Sequence, residues 1–400
     1  MTKLSLCMIV KDEGLSLPKC LESVRDVVDE MIIMDTGSTD KTREIATQFG
    51  AKVPSFQWNG NFSDARNASL ELATGEWVLS LDADEVLNPE ILPKIRQAMV
   101  DKNHLVINFI RQEVGAMQSP YSMVSRLFRN HPKIRFSRPY HTLIDDHVQE
   151  LLKTEKHWKV IEIPEIGIFH YGYTPAAIQA LDKYNRAKIA MEGYFKEHPH
   201  DPYVCSKLGA LYLQIGQEKQ GIKLLKQGLK SGKVDPHTLF ELHYHLANAH
   251  TRQQKLETAI KHYQKALEQP ILERLKLGAY NNLGSLLQSS GELKTALNIY
   301  KKALTIEPNF AMGYYNLGAT LKALNDLPGA IEAYQKAISL EPEYAAAYQN
   351  LGVAWLKMGN LSAGLEAMEK AIGFHSQQNR EETAQKLRQG LEEMGLTNLS

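Results

Sequence analysis

The sequence predicts an α/β domain with a mostly parallel sheet, followed by an all-α solenoid of repeated helix pairs. Two observations carry this fold class. From residue 1 to about 111, short apolar runs alternate with segments of helical spacing, which is typical of a parallel sheet with helices on both faces. Beyond residue 200, Leu-Gly and Leu-Ala pairs recur at intervals of 38, 37, 34 and 34 residues, which indicates stacked repeats.

Composition excludes several classes of function. The 400 residues leave room for two or three domains, and 46 basic residues balance 46 acidic ones. Neither a nucleic-acid footprint nor a polybasic membrane patch is therefore expected. Three scattered cysteines do not make a disulfide framework or a zinc site, and no apolar stretch approaches the length of a membrane span. We expect a soluble cytoplasmic protein that binds no nucleic acid.

The first half contains short apolar runs bounded by turn or capping residues, which predict strands. They lie at 4–10, 30–35, 51–58, 77–81, 104–110, 122–129, 134–138 and 159–170. Between them, helices are expected after Pro18, after the turn 36–40, and from Asn88-Pro89. A further helix, with Ser63 or Asp64 as its N-cap, carries apolar residues to Leu72 and stops before Gly75.

The stretch 75–85 combines a buried strand with two carboxylates, Asp82 and Asp84, at its carboxyl end. Ligands bind at that edge of open α/β sheets, and paired carboxylates suit a hard divalent cation. Asp12 and Glu13 follow the first strand and Asp35 ends the second. Because parallel strands share a carboxyl edge, these acids should converge on one crevice. Each could alternatively be a turn former or a helix cap.

Residues 112–173 are unusually rich in His, Asp and Arg for a connecting segment. A plain connector would favour Gly, Pro and Ser. The run 140–147 contains two histidines and two aspartates between predicted strands. This segment is the candidate for the acceptor side of the site.

The repeats of the second half have the tetratricopeptide (TPR) period of about 34 residues. Around the fourth pair the pattern is nearly complete, with Tyr314, Leu317-Gly318, Ala330, Tyr334 and Ala337 in place. We predict a helical linker at 176–200, about five repeats over 201–376, and a capping helix with a tail at 377–400. Such an array forms a groove suited to a peptide or a partner protein.

Four motifs in the first half resemble the family 2 glycosyltransferases with the GT-A fold, and in particular the branch with a C-terminal TPR array. The resemblance covers about residues 3–175, so 1–175 would be a GT-A, Rossmann-like catalytic domain. The motifs are Ser5-Leu6-Cys7-Met8-Ile9-Val10-Lys11-Asp12-Glu13, Ile33-Met34-Asp35-Thr36-Gly37-Ser38-Thr39-Asp40, Phe62-Ser63-Asp64-Ala65-Arg66-Asn67 and Leu81-Asp82-Ala83-Asp84-Glu85.

What the resemblance implies is a nucleotide-sugar site. Asp35 would meet the base, and Asp82 and Asp84 would hold Mn²⁺ or Mg²⁺ on the diphosphate. The other residues implied to line the donor nucleotide are Asp12, Glu13 and Arg66, with Asp82 beside them. The metal would neutralise charge on the leaving nucleoside diphosphate.

A carboxylate near the acceptor would act as general base for an inverting displacement. The family commonly has His-Glu where this chain has His141-Thr142, and Asn where it has Asp12, so its Glu base cannot be placed here. Asp145 or Asp146 is the substitute that we predict, with His141 and His170 as further candidates for the base or a third metal ligand.

The sequence therefore predicts a metal-dependent, inverting glycosyltransferase. Its donor would be a nucleotide sugar of the UDP type and its acceptor a protein, a peptide or a glycan, with a protein partner in the TPR groove. The alternatives are a non-catalytic TPR scaffold with a degenerate nucleotide-binding domain, and a nucleotidyltransferase that uses the same crevice and releases pyrophosphate. The donor sugar, the acceptor, the metal preference and the oligomeric state stay open.

Overall fold

The computed structural model describes residues 2–116, 120–172 and 181–396. The chain forms two compact units, residues 1–245 and 246–400. The predicted boundary at residues 175–176 and the last four residues of the predicted tail lie outside the described ranges. Within those ranges, every helix is too short or too polar to cross a bilayer.

A seven-stranded mixed sheet forms the centre of the first unit, in the order β2-β1-β3-β6-β5-β7-β4. β1 is parallel to both β2 and β3, and β5 is parallel to β7. β6 runs antiparallel between β3 and β5, and β4 is antiparallel to β7. The strands are β1 Leu4–Val10, β2 Glu30–Asp35, β3 Trp77–Ser80, β4 Glu85–Leu87, β5 His104–Glu113, β6 Tyr121–Arg129 and β7 Lys159–His170.

Helices follow most of the strands, and more helices continue the chain after β7. The predicted architecture, an α/β sheet domain followed by a helical region, is confirmed. The helices up to the unit boundary are α1 Leu17–Val24, α2 Thr42–Gln48, α3 Phe62–Leu70, α4 Leu92–Val100, α5 Asp145–Thr154, α6 Leu181–Glu197, α7 Pro202–Gln214 and α8 Glu218–Gly228, and α9 Pro236–Arg252 crosses it.

Two apolar cores lie on the two faces of the sheet, as the alternation of side chains in β3 illustrates. Trp77 and Leu79 belong to one core, whereas Val78 belongs to the other. The first core also takes Leu17 from α1, and the second takes Val148 from α5. All four residues of β3 are buried, so the predicted buried strand before Asp82 is confirmed.

Several predicted elements were wrong. No strand forms at 51–58, where Pro54 has no N–H to donate and only bridges at Lys52 and Ser55 link the chain to β2. Nor does 134–138 form a strand, because the backbone of Arg138 turns at φ +71° and leaves one bridge from Ser137 to Leu143.

The start and end of α3 also differ from the prediction. Its N-cap is Asn61, whose side chain accepts from the Ser63 N–H, so Ser63 and Asp64 lie in the first turn. The helix ends at Leu70, and Leu72 is exposed. The strand β4 was missed because its three residues are too short to show a period.

In the second unit, tyrosines pack against glycines of the preceding helix. A Cβ at Gly284 would lie 2.7 Å from the Tyr300 ring, and one at Gly318 would lie 2.8 Å from Tyr334. Both tyrosines are fully buried, so these stripes are core, as the repeat pattern predicts. The helices after α9 are α10 Leu256–Leu267, α11 Leu277–Ser289, α12 Leu293–Ile306, α13 Ala311–Ala323, α14 Leu327–Leu340, α15 Ala345–Lys357, α16 Leu361–Gln377 and α17 Glu381–Glu393.

Candidate active site

The carboxyl ends of β2, β1 and β3 meet at one edge of the sheet. The three strands are adjacent and parallel, with Val10 of β1 opposite Asp35 of β2 and Cys7 opposite Ser80 of β3. The acids predicted to converge therefore follow neighbouring strands. This edge is where an open α/β sheet binds ligands.

Asp35 organises the turn that follows β2. It is 3% exposed, and its carboxylate accepts from the Gly37 and Ser38 N–H groups and from Arg43 at 3.0 Å. Burial alone would raise the pKa of Asp35, but Ser38 and Arg43 hold it below its usual value. Asp35 is therefore an ionised carboxylate that holds the turn after β2 in place. Its contact with the base of a nucleotide stays a prediction.

Asp12 and Glu13 join the end of β1 to that same turn. Asp12 lies in the left-handed region at φ +53°, and its Oδ1 accepts from the Thr39 N–H at 2.7 Å. The Glu13 N–H donates to Thr42 Oγ1 at 2.7 Å. Both residues thus shape the rim of the crevice.

Asp82 lies between two arginines. Its Oδ1 accepts from Arg66 of α3 and its Oδ2 from Arg126 of β6. Arg66 also donates to Ser80 at 3.0 Å. Although burial would raise the pKa of Asp82, the charges of Arg126 and Arg66 hold it well below its usual value. Asp82 is therefore a carboxylate fixed by guanidinium groups on both oxygens.

Glu85 adds a second carboxylate to this group of ion pairs. Glu85 is fully buried, accepts from Arg126 at 2.9 Å and from Arg111 of β5 at 2.9 Å, and also accepts from the Asp82 N–H. Arg111 continues the chain of ion pairs to Glu113 at 2.7 Å. Buried charges in sheet strands are rare unless they are paired, so Arg111, Glu113 and Arg126 within strands were the signal that sequence reasoning missed.

Asp84 lies beside the last residue of β7. Its Oδ2 is 3.2 Å from Nε2 of His170, whose Nδ1 contacts Glu113 at the end of β5. β7 brings His170 opposite Glu85 on one side and Glu113 on the other. The structure thus joins two residues predicted to be metal ligands, Asp84 and His170, across 86 positions of sequence.

His170 lies between two carboxylates, those of Asp84 and Glu113. Burial lowers the pKa of an imidazole, but here the hydrogen bonds to Asp84 and Glu113 outweigh burial and raise it to about 9. Gly172 approaches this pair so closely that a side chain there would clash with it. A Cβ at Gly172 would lie 2.5 Å from His170 Nε2 and 3.0 Å from Asp84 Oδ2.

The predicted base candidates lie at the start of α5. Asp145 Oδ1 accepts from Ser125 of β6 at 3.3 Å, and its other oxygen is buried and has no hydrogen bond to any residue that the structure describes. Burial, and then the neighbouring Asp146, raise the pKa of Asp145. Asp146 is instead held by Arg138, at 2.7 Å.

His141 is exposed and has a left-handed backbone, at φ +49°. Its ring packs edge-on against Tyr140, with 4.8 Å between the ring centroids. The structure therefore gives the three candidates for the base different surroundings. Asp145 is a half-buried acid beside β6, Asp146 is an ion-paired one, and His141 lies at the surface.

The donor set fits a divalent cation at Asp84 and His170. Among the described residues, no group of three or more His, Cys, Asp or Glu side chains is arranged to hold a metal ion. A carboxylate and an imidazole 3.2 Å apart beside a glycine nevertheless offer ligands of the type that Mn²⁺ accepts. Phosphate oxygens and water would have to complete the coordination.

Comparison with known families divides the chain in the same order. The model described as Glycosyl transferase family 2 matches residues 5–161. Models of tetratricopeptide repeats match residues 238–309, 299–332 and 320–359. The first match contains β2 to β6 in full, β1 except Leu4, and only the first three residues of β7.

Three relatives illustrate the range of similarity. A TPR repeat-containing protein of Synechococcus elongatus is 44% identical over 308 residues, which cover 77% of this chain and 76% of that protein. The SPbeta prophage-derived glycosyltransferase SunS of Bacillus subtilis is 27% identical over 233 residues, or 56% of this chain and 53% of SunS. An uncharacterized glycosyltransferase of Rickettsia felis is 31% identical over 137 residues, or 32% of this chain and 48% of that protein.

Among solved structures, the TPR protein YrrB covers 49% of this chain and 98% of its own length, at 19% identity and a TM-score of 0.40. MamA covers 46% of this chain and 96% of its own length, at 23% identity and a TM-score of 0.39.

Proposed function

Because this chain belongs to the family 2 glycosyltransferases that carry a C-terminal TPR array, we propose that it transfers a sugar from a nucleotide-sugar donor to an acceptor with the help of a divalent cation. The observation that carries the proposal is the pairing of Asp84 with His170, 3.2 Å apart. Asp84 follows β3, whose carboxyl end lies at the same edge of the sheet as those of β1 and β2.

We place the cation, Mn²⁺ or Mg²⁺, on Asp84 and His170. When bound, it would neutralise the charge that develops on the leaving diphosphate. The arginines at Asp82 orient that carboxylate from two sides, so Asp82 serves as a fixed anion next to the metal ligands. The sequence predicts a direct bond from Asp82 to the metal, but we assign that bond to Asp84, because both oxygens of Asp82 already accept from guanidinium groups.

We assign the role of general base in an inverting displacement to Asp145. A base accepts a proton most readily in the transition state when its pKa lies close to the working pH, and burial moves the pKa of Asp145 in that direction. Asp146 is held in an ion pair by Arg138. We therefore assign Asp146 to the structure of the loop.

The class of acceptor is inferred from the TPR array. A TPR array suits an extended or helical polypeptide, so we propose a protein or peptide acceptor that the repeats bind.

The test is hydrolysis of a panel of nucleotide sugars by the full chain, with Mn²⁺, with Mg²⁺ and after chelation. We expect turnover of one donor that needs the metal and is lost in Asp84→Ala. Asp26→Ala is the matched control, since Asp26 is an exposed acid at the end of α1. Metal-independent turnover, or full activity of Asp84→Ala, would refute the metal-dependent mechanism. Binding of UDP with Mn²⁺ but no turnover of any donor would favour a scaffold.

A further inference from the structure

We propose that Glu113 is a positioning residue that fixes the tautomer of His170, so that Nδ1 carries a proton and Nε2 faces Asp84 as the metal-binding atom. The inference rests on the proposed function, since it concerns how the chain prepares one of its two metal ligands. Glu113 itself is not a ligand. It would act only through the imidazole.

The sheet holds Glu113 and His170 side by side. They are the last residues of the parallel strands β5 and β7, and they lie opposite each other in the register. Glu113 is 6% exposed, and its Oε2 contacts His170 Nδ1. The contact is therefore set by strand pairing and does not depend on a mobile surface side chain.

The other oxygen of Glu113 is committed elsewhere. Oε1 accepts from Arg111 Nε at 2.9 Å and from Ser122 Oγ at 2.9 Å, and Arg111 NH2 lies 2.7 Å from it. A guanidinium can only donate, so this oxygen must remain an acceptor. The carboxylate is thereby held in one orientation, with Oε2 directed at the imidazole.

This orientation decides the state of the ring. Oε2 of an ionised carboxylate can only accept, so Nδ1 must donate to it. A metal binds only a ring nitrogen without a proton, and a proton on Nδ1 leaves Nε2 for that role. Nε2 is the atom 3.2 Å from Asp84 Oδ2 and lies close to Gly172. Carboxylate groups of this kind support metal-binding histidines in other proteins.

A substitution of the same shape separates this role from simple ion pairing. In Glu113→Gln, Arg111 and Ser122 would retain the amide oxygen, and the NH₂ group would then point at His170. Nδ1 would become an acceptor, which places the proton on Nε2 and blocks that nitrogen. Ser122→Ala is the matched control, because it removes one hydrogen bond to Glu113 but leaves the carboxylate and its contact with His170.

The experiment measures Mn²⁺ affinity by electron paramagnetic resonance with UDP present, for the full chain and both variants. We expect Glu113→Gln to weaken Mn²⁺ binding by roughly 10- to 100-fold, with Ser122→Ala close to the unsubstituted protein. Equal affinity in all three would overturn the inference and leave the proposed function standing. Absence of UDP-dependent Mn²⁺ binding by the unsubstituted protein would overturn the metal-dependent function and this inference with it.

A second measurement does not require Glu113→Gln to fold. In ¹⁵N-histidine-labelled protein with Mg²⁺ and UDP, the signals of His170, identified by their loss in His170→Gln, report which nitrogen is protonated. We expect the proton on Nδ1 in the unsubstituted protein and, where it folds, on Nε2 in Glu113→Gln. A proton on Nε2 in the unsubstituted complex would contradict the role of Glu113.

Discussion

Asp82 and Asp84 are two residues apart at the end of one strand, yet they lie in opposite surroundings. Asp82 accepts from Arg66 on one oxygen and from Arg126 on the other; we call this group the arginine side. Asp84 contacts the imidazole of His170 through a single oxygen; we call Asp84, His170 and Glu113 the histidine side. Asp82 is therefore paired on both oxygens by arginines, whereas Asp84 shares His170 with Glu113.

The difference separates stability from chemistry. A carboxylate that is fully paired inside the protein contributes to the fold, and its removal leaves buried positive charge without a partner. A carboxylate that is not paired on both oxygens can take an external cation, which is the role that we propose for Asp84. Changing each acid of the Asp-x-Asp motif to the isosteric amide should therefore have different effects, on stability for Asp82 and on activity for Asp84.

The largest effect is expected for Asp84→Asn on activity. Loss of a metal ligand removes several kcal/mol of stabilisation of the developing negative charge, so turnover of the donor should fall by about a thousand-fold. The melting temperature should stay close to that of the unsubstituted protein. Steady-state hydrolysis measures the turnover, and calorimetry measures the melting temperature. A large loss of stability with normal turnover would show that Asp84 serves the fold and not the reaction.

Asp82→Asn should instead act on the fold. Arg66 and Arg126 would face a neutral amide, and we expect a loss of about 2 kcal/mol in the free energy of unfolding, since Asp82 is only partly buried. Denaturant titration measures it, with Asp84→Asn as the control of equal size and chemistry. Equal stability of the two variants would show that the arginines do not depend on Asp82.

The sequence predicted the strand ends well because each carries a local signal. β1, β2 and β7 begin and end at the predicted residues, since their apolar runs are bounded by charged or turn residues. Asp84 and His170 were both predicted as metal ligands. Their contact itself, between residues 86 positions apart, depends on the pairing of β4 with β7, which no local pattern encodes.

The arginine side was only half predicted. Arg66 was found through the motif on α3, but Arg126 lies in a strand and carries no motif of its own. Its partners, Asp82 and Glu85, come from a different part of the chain. The predicted strand at 134–138 failed for a related reason, because a positive φ at Arg138 cannot be recognised from a run of apolar and basic residues.

Gly172→Ala tests whether His170 and Asp84 must keep their positions for the cation to bind. The added methyl group would lie 2.5 Å from His170 Nε2, so the ring or Asp84 must move away from the cation position. We expect Mn²⁺ affinity to fall by about tenfold, with a smaller effect on folding. Gly193→Ala is the control, since a Cβ there meets nothing within 4 Å. Unchanged Mn²⁺ affinity in Gly172→Ala would place the cation elsewhere.

The smallest effect concerns pH and the arginine side. In the folded protein, Arg126 and Arg66 outweigh burial and hold the pKa of Asp82 well below its usual value. Its stabilisation is therefore complete above the unfolded pKa of about 3.9 and is lost as pH falls towards the folded pKa. The stability gap between the unsubstituted protein and Asp82→Asn should be constant from about pH 5 to 8 and narrow by roughly 0.5 kcal/mol near pH 3.5. A gap that widens in acid would contradict the pairing.

Calorimetric titration of UDP into the full chain, with Mn²⁺ and after chelation, tests the central claim most directly. If Asp84 and His170 hold a cation on the diphosphate, UDP should bind at least about tenfold more tightly with Mn²⁺. Asp84→Asn should bind UDP as the chelated protein does, even in the presence of Mn²⁺. Equal UDP affinity with and without Mn²⁺ in the unsubstituted protein would contradict a metal-dependent donor site.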